Sequence, residues 1–221
     1  MPLPLCILNF HGLGTPKHEL PSKELAFWIR ESQFDAILDY VRDRDRICLT
    51  FDDSNESDLT IALPALQARG MNAHFFLVAG RIGRPGYLSE AQVRALVSGG
   101  MTMGNHGMHH RAWAGLSRKD LHEELVEARD RLQQITGVAI EDASCPFGSY
   151  NRRVVQALRG VGYKRIYTSD GGPARIDALI LPRNTVHNTW KLEALKALLA
   201  NEANGACRFW RRISLLLKRW R

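Results

Sequence analysis

The amino-acid sequence predicts an α/β fold built on parallel strands. Three observations carry that expectation. Short apolar, β-branched or aromatic runs recur along the chain, segments with helical spacing separate them, and polar residues gather just past the ends of the runs. The strand-like runs are CILNFHG (6–12), ICLTFDD (47–53), AHFFLVAG (73–80), MTMGNHG (101–107), ASCPFG (143–148), RIYTSD (165–170) and ALILPRNTV (178–186). Seven is an awkward number for a regular eight-fold barrel. Periodicity alone leaves a distorted or incomplete barrel and an open doubly wound sheet as alternatives.

The intervening segments justify the helices. SQFDAILDYVRD (32–43) sets Phe34, Ile37, Leu38 and Val41 on one face, and 59–70, 89–100, 117–137 and 151–163 repeat the pattern. Ser89 and Ser117 are expected N-caps, while Gly70, Gly99, Gly137 and Gly162 stand where helices should stop. His11, Asp52 with Asp53, His106, Pro146 with Gly148, and Asp170 all follow the apolar body of a candidate strand. In parallel α/β folds the carboxyl ends of the strands share one face, so these residues are expected to converge there.

Bulk properties narrow the function. A chain of 221 residues with 45% apolar and 24% charged residues suits one core, expected over residues 1–200. The formal net charge is +7, but residues 208–221 hold six cations and no acid, leaving the body near +1. The basic character therefore belongs to a tail, expected over 201–221, and nucleic acid is disfavoured as a partner of the main body. Cys6, Cys48, Cys145 and Cys207 lack zinc-ribbon spacing and suggest no disulfide framework. The N-terminus does not read as a secretory signal and no run approaches eighteen apolar residues, so a cytoplasmic protein without a spanning helix is expected.

Two motifs raise the question of a metal. GNHGMHHR places His106 and His110 four apart, a spacing that can bring two imidazoles to one side of a turn. His109 is expected to face outward, with a shifted pairing to His106 as the alternative. Gly107 stands where a zincin would have Glu, which excludes that signature. With Asp53, two imidazoles and one carboxylate form a three-ligand set with an open position, as catalytic zinc sites have. Neighbouring residues of an extended chain alternate sides, so Asp52 could act as base while Asp53 holds the metal. The competing reading of Asp52-Asp53 is a turn or N-cap, which Ser54-Asn55 makes credible.

TFDD at 50–53, NHGMHH at 105–110 and CPFG at 145–148 resemble, in order and spacing, successive motifs of the NodB-homology polysaccharide deacetylases, carbohydrate esterase family four. The resemblance covers roughly residues 5–190. It implies a distorted (β/α) barrel of about seven parallel strands and a divalent metal, zinc first, with cobalt or nickel possible. It also implies hydrolysis of acetyl groups from an N-acetylated sugar or polysaccharide. On matching positions, Asp53, His106 and His110 would be ligands and Asp52 the base activating a metal-bound water. Pro146, Phe147 and Gly148 would line the substrate groove, the Phe147 N–H helping to hold the oxyanion. His187, in NTVHN, is the resemblance's candidate general acid, although Thr185 stands where the family has Leu; His11 competes with it. Asp170, in TSDGGPA, is expected on the same face near substrate or behind a histidine.

Departures from the family pattern generate further expectations. The family's Ser or Thr after the first histidine is Gly107 here, removing a hydrogen bond from that loop. The Arg that orients the base falls on Ser144, or on Ala143 in a shifted register. Its loss would leave the Asp52 carboxyl higher and looser. The alternative function is therefore a catalytically impaired carbohydrate-binding pseudo-enzyme on the same barrel. In RFWRRISLLLKRWR (208–221), Phe209, Ile213, Leu216, Leu217 and Trp220 recur at helical spacing among cations. That pattern suits an amphipathic helix on an anionic membrane surface, which would make the protein peripheral on the inner face; a helix docked back on the barrel and a non-specific nucleic-acid tail are the alternatives.

Overall fold

A computed structural model describes residues 5–204. The strands are β1 (Cys6–Phe10), β2 (Gly12–Leu13), β3 (Trp28–Ile29), β4 (Ile47–Asp52), β5 (His74–Leu77), β6 (Thr102–Asn105), β7 (Asp142–Ser144), β8 (Arg165–Thr168), β9 (Ile180–Pro182) and β10 (Asn184–Thr185). Apart from the small β2–β3 pair, they form one parallel sheet in the order β10-β1-β4-β5-β6-β7-β8-β9.

The ends of this order are the same stretch of chain. β9 and β10 are separated only by Arg183, β9 pairing with β8 and β10 with β1. The sheet is therefore a nearly closed barrel whose seventh stave bends at Arg183. This closure rules out the open doubly wound sheet and accounts for seven strand-like runs in the sequence.

Residue alternation divides the two faces of the barrel wall. Leu8 and Phe10 of β1, Leu49 and Phe51 of β4, and Phe75 and Leu77 of β5 face the helices in the main core. Phe51 stacks on Phe75 at 4.6 Å and on Phe10 at 5.2 Å. Each such fully buried side chain contributes roughly 1.5–3 kcal/mol. Ile7, Phe76, Tyr167 and Leu181 form a separate cluster inside the barrel. Asp52 follows Phe51 and so shares the inner side with them.

Helices α1 (Glu31–Val41), α2 (Leu63–Gln67), α3 (Glu90–Ser98), α4 (Arg118–His122), α5 (Ala128–Thr136), α6 (Arg152–Gly160) and α7 (Leu192–Asn204) surround the strands. α1 buries Phe34, Ile37, Leu38 and Val41, the face its sequence predicts. Ser89 caps α3 in a reciprocal box with Gln92, Ser117 caps α4, and Gly137 ends α5 at φ 72°. α2 and α5 are each preceded by a π-helical segment, Asp58–Ala62 and Glu123–Glu127. Such insertions frequently mark functional sites. α7 crosses residue 201, where the tail was expected to begin, and Leu195 is buried in the main core. The remainder of the expected amphipathic tail lies outside the described residues. Among those described, no helix is long and apolar enough to cross a membrane.

Candidate metal centre

The strand ends bring Asp53, His106 and His110 together, with one ligand atom from each within 4.8 Å of the others. Asp53 and Ser54 leave β4 with φ of 82° and 62°, a reversal that turns Asp53 out of the strand direction. His106 follows β6 directly, and Gly107 (φ 90°) and His110 (φ 56°) fold the next residues back over the barrel mouth. His110 Nε2 lies 3.0 Å and His106 Nε2 3.8 Å from Asp53 Oδ1. Atoms ligating one zinc at about 2.0–2.2 Å in a tetrahedron stand about 3.3 Å apart, so small adjustments would let these three share an ion. Asp53 Oδ1 is buried without a hydrogen bond, a costly state that a cation would relieve.

Both imidazoles are uncharged at neutral pH. Burial lowers both imidazoles despite the nearby carboxylates, His110 to about 3. His106 Nδ1 lies 2.8 Å from the Ser144 carbonyl, which can only accept, so its proton sits on Nδ1 and Nε2 keeps its lone pair. Burial would raise Asp53, but His110, His11 and Arg81 outweigh it and hold the carboxyl below the usual range.

Asp52 is tied in a different way. Arg183, fully buried, grips both its oxygens: Nη1 to Oδ1 at 2.8 Å and Nη2 to Oδ2 at 2.7 Å. Asn9 Nδ2 adds a bond to Oδ2 at 3.0 Å, and Arg183 is itself fixed by Asn9 Oδ1 (2.8 Å) and Ser144 Oγ (2.6 Å). Burial pushes the Asp52 carboxyl up, but Arg183 and His106 more than reverse this, leaving it ionised well below the ordinary carboxylate value. The expectation that Asp52 lacks a charge partner is thereby corrected. Position 144 supplies only a hydroxyl, and the guanidinium arrives from the bend between β9 and β10. An arginine inside the apolar run ALILPRNTV was the available signal, since such residues are seldom buried unpaired.

Comparison with known proteins supplies the family. The sequence profile described as Polysaccharide deacetylase matches residues 39–166, more than half of the chain. The chain belongs to the polysaccharide deacetylase family. Over 190 residues it is 24% identical to YxkH of Bacillus subtilis (strain 168), which is named for the same family, covering 80% of this chain and 68% of YxkH. In fold it is similar to the Streptococcus pyogenes deacetylase PplD in complex with acetate, with a TM-score of 0.78, 21% identity, and 90% and 99% of the two chains covered. BA0330 from Bacillus anthracis, also named for the family, superposes with a TM-score of 0.77, 21% identity, and 88% and 68% coverage. Deacetylases of this family are metalloenzymes, and Asp53, His106 and His110 are a group able to hold the ion.

The deacetylase loop is braced without the expected hydroxyl at 107. Asn105 Oδ1 accepts from the Gly107 N–H at 2.8 Å, and its amide bonds the Tyr163 hydroxyl and the Glu124 carbonyl. The Glu124 carboxylate, fully buried, accepts from the Met108 and His109 N–H groups at 2.9 and 3.1 Å and from Arg111 Nε at 2.8 Å. A Cβ on Gly107 would lie 2.1 Å from Glu124 Oε2. Glycine at 107 and glutamate at 124 therefore fit each other. In sequence, Glu124 reads as one more surface charge of a helix, and only the fold reveals its target.

Of the other expected site residues, Phe147 touches this centre directly, while His187 meets Phe27 and Asp170 meets Tyr150. Phe147 is 62% exposed, holds φ 56°, and sets its ring 4.4 Å from that of His110, while Pro146 and Gly148 beside it are buried. His11 stacks on Phe27 at 5.0 Å, its Nδ1 is buried without a partner, and its charge helps lower both Asp52 and Asp53. His187 packs on Phe27 at 4.8 Å and near Trp190 at 6.3 Å, and burial lowers it. Asp170 Oδ2 accepts from the Tyr150 and Thr168 hydroxyls at 2.7 and 2.8 Å. His109 faces outward to Glu123, 3.0 Å away. Arg81, unmarked in the sequence, contacts both Asp53 and His110.

Proposed function

We propose that the protein is a metal-dependent hydrolase that removes acetyl groups from an N-acetylated sugar or polysaccharide. The observation that carries this reading is the juxtaposition of two differently held carboxylates. Asp53 stands among two neutral imidazoles, and Asp52, ionised and clamped by Arg183, has Oδ2 3.7 Å from His106 Nε2. A divalent cation bound by Asp53, His106 and His110, with zinc first and cobalt or nickel as alternatives, would supply Lewis acidity toward the amide carbonyl and a nucleophile at neutral pH.

The chain's own residues do the rest. Asp52 accepts the proton that the attacking water gives up, and Arg183 keeps its carboxylate aimed and charged until then. The leaving nitrogen needs a proton as the C–N bond breaks. His11 is the favoured donor because it lines a cleft with Asp53, Phe27 and Trp28, while His187 is the second candidate. The exposed Phe147 ring offers a face for a sugar ring, and its main-chain N–H is the family's donor to the carbonyl oxygen. Asp170, which accepts from the Tyr150 and Thr168 hydroxyls just past β8, keeps a supporting role near substrate as a proposal. The pseudo-enzyme reading assumed a lost guanidinium, and Arg183 removes that premise. The basic stretch 208–221, beyond the described residues, retains an anionic membrane surface as its proposed partner.

The test is acetate release from N-acetylated oligosaccharides by the zinc-reconstituted protein. An Asp52→Asn variant should release no acetate yet keep its metal by elemental analysis, and a His106→Ala, His110→Ala double variant should lose both. Undiminished release by Asp52→Asn would overturn the assignment of the base.

A further inference from the structure

We infer that Arg81 is a resident counter-cation of the Asp53–His106–His110 centre, and that a divalent metal must displace it before His110 can act as a ligand. The inference rests on the reading of that centre as a metal site. Arg81 closes the short helical turn Ala79–Arg81 after β5, and its side chain is only 18% exposed. Its Nη1 lies 3.1 Å from Asp53 Oδ1 and 3.4 Å from the Asp53 carbonyl oxygen, and its Nη2 lies 3.1 Å from His110 Nδ1.

A guanidinium has only donors. Its contact with Nδ1 therefore requires Nδ1 of His110 to present a lone pair, and a neutral imidazole then carries its proton on Nε2. That is the nitrogen 3.0 Å from Asp53 Oδ1, on the side of the proposed ion. Protonated, it has nothing to offer a metal. His106 is the opposite case, because the Ser144 carbonyl fixes its proton on Nδ1. The two histidines thus stand in opposite tautomers, one ready to ligate and one blocked.

Charge points the same way. Arg81 and an incoming cation would share one carboxylate within a few ångström, in a partly desolvated site where like charges repel strongly. Arg81 neutralises Asp53 without satisfying it, since Oδ1 still lacks a hydrogen bond. A metal can do both. The guanidinium keeps partners if it leaves Asp53: the Tyr87 ring already lies 5.1 Å from its Cζ, and Glu24 lines the same cleft.

The experiment is zinc titration of the full chain against a chromophoric chelator, comparing wild type, Arg81→Met and the His106→Ala, His110→Ala variant. Side-chain ¹⁵N NMR of the histidines in wild type would accompany it. Arg81→Met should bind zinc roughly tenfold or more tightly, the scale of one unit charge in such a site. In wild type the His110 proton should move from Nε2 to Nδ1 when zinc enters. Equal or weaker binding by folded Arg81→Met would overturn the inference and make Arg81 a support for Asp53. If that variant does not fold, a metal-free wild type with His110 already protonated at Nδ1 overturns it instead. Zinc binding that survives in the double histidine variant would fail the metal-centre reading itself, a result distinct from either.

Discussion

Arg183 and Asp52 meet through two parallel hydrogen bonds of 2.8 and 2.7 Å in the interior of the barrel, 131 residues apart in sequence. The pair joins the stave that closes the barrel to the residue assigned as base, so one contact serves both fold and chemistry. Buried pairs of this kind are poor sources of net stability, but breaking one leaves an uncompensated charge. Arg183→Met should therefore destabilise the protein by about 3–5 kcal/mol in urea denaturation at neutral pH. The pH dependence has a definite sign. In wild type the lowered Asp52 carboxyl contributes stability above its unfolded value near 3.9, which is lost as pH falls through the folded value. Without Arg183, burial should raise the carboxyl above about 3.9, so the deficit should begin to shrink above about pH 4, as Asp52 of the variant becomes neutral, and shrink further below it as wild type loses its own contribution. A deficit that does not vary with pH would show that Arg183 acts by packing alone.

His74, at the start of β5, supplies a second pH-dependent contribution. Its ring stacks on Phe76 at 4.2 Å, Nε2 has no partner, Nδ1 is 3.7 Å from Asp142 Oδ2, and Arg183 and Arg165 oppose its charge. Burial, helped by the two arginines, pushes it down to about 3. The unfolded chain takes up a proton near pH 6.5 that the folded chain refuses. Stability from this group is thus complete above 6.5 and falls as pH drops toward 3, by up to about 1.4 kcal/mol per pH unit. His74→Phe should match wild type at pH 7.5 and exceed it at pH 5 in thermal melts. Parallel profiles would assign the acid sensitivity elsewhere.

The barrel and most of the centre were legible because they depend on local pattern. Phe34, Ile37, Leu38 and Val41 announce α1 by spacing, Ser89 announces the start of α3, and His106 and His110 sit on one loop whose geometry is set within five residues. What sequence could not give depends on closure. Arg183 meets Asp52 only because β10 returns to β1, and Glu124 meets the 107–109 backbone only because its helix packs under that loop. Arg81 follows an ordinary strand end, and nothing in VAGRIG distinguishes a guanidinium aimed at His110 from a solvated one. Substitutions read as losses at Ser144 and Gly107 were replacements made from elsewhere in the fold.

Gly107 and Glu124 offer a direct test of that last point. Gly107→Ser combines a strained φ of 90° with a Cβ 2.1 Å from Glu124 Oε2, and should cost about 1–3 kcal/mol and weaken zinc binding. Glu124→Ala alone should also destabilise, because it strips acceptors from the Met108 and His109 N–H groups. In the double variant the clash is gone, so the two costs should fall short of their sum, leaving the strain of the positive φ. Additivity in a double-mutant cycle would mean that the two positions do not interact.

Phe147 should affect binding and leave folding alone. Its ring is 62% exposed and touches His110 at 4.4 Å between centroids, so truncation removes little buried area. Its φ of 56° is one that Phe and Ala both tolerate poorly, so Phe147→Ala leaves the backbone strain as it was. We expect stability within about 0.5 kcal/mol of wild type, as for most exposed substitutions. If the ring is a platform for a sugar, losing it should raise KM for an N-acetylated oligosaccharide about tenfold, the scale of one aromatic contact worth roughly 1–1.5 kcal/mol. The main-chain N–H survives the substitution, so kcat should change little. A fall in kcat at constant KM would point to the ring's contact with His110 and away from sugar stacking, because an interaction present only in the transition state lowers turnover without weakening ground-state binding.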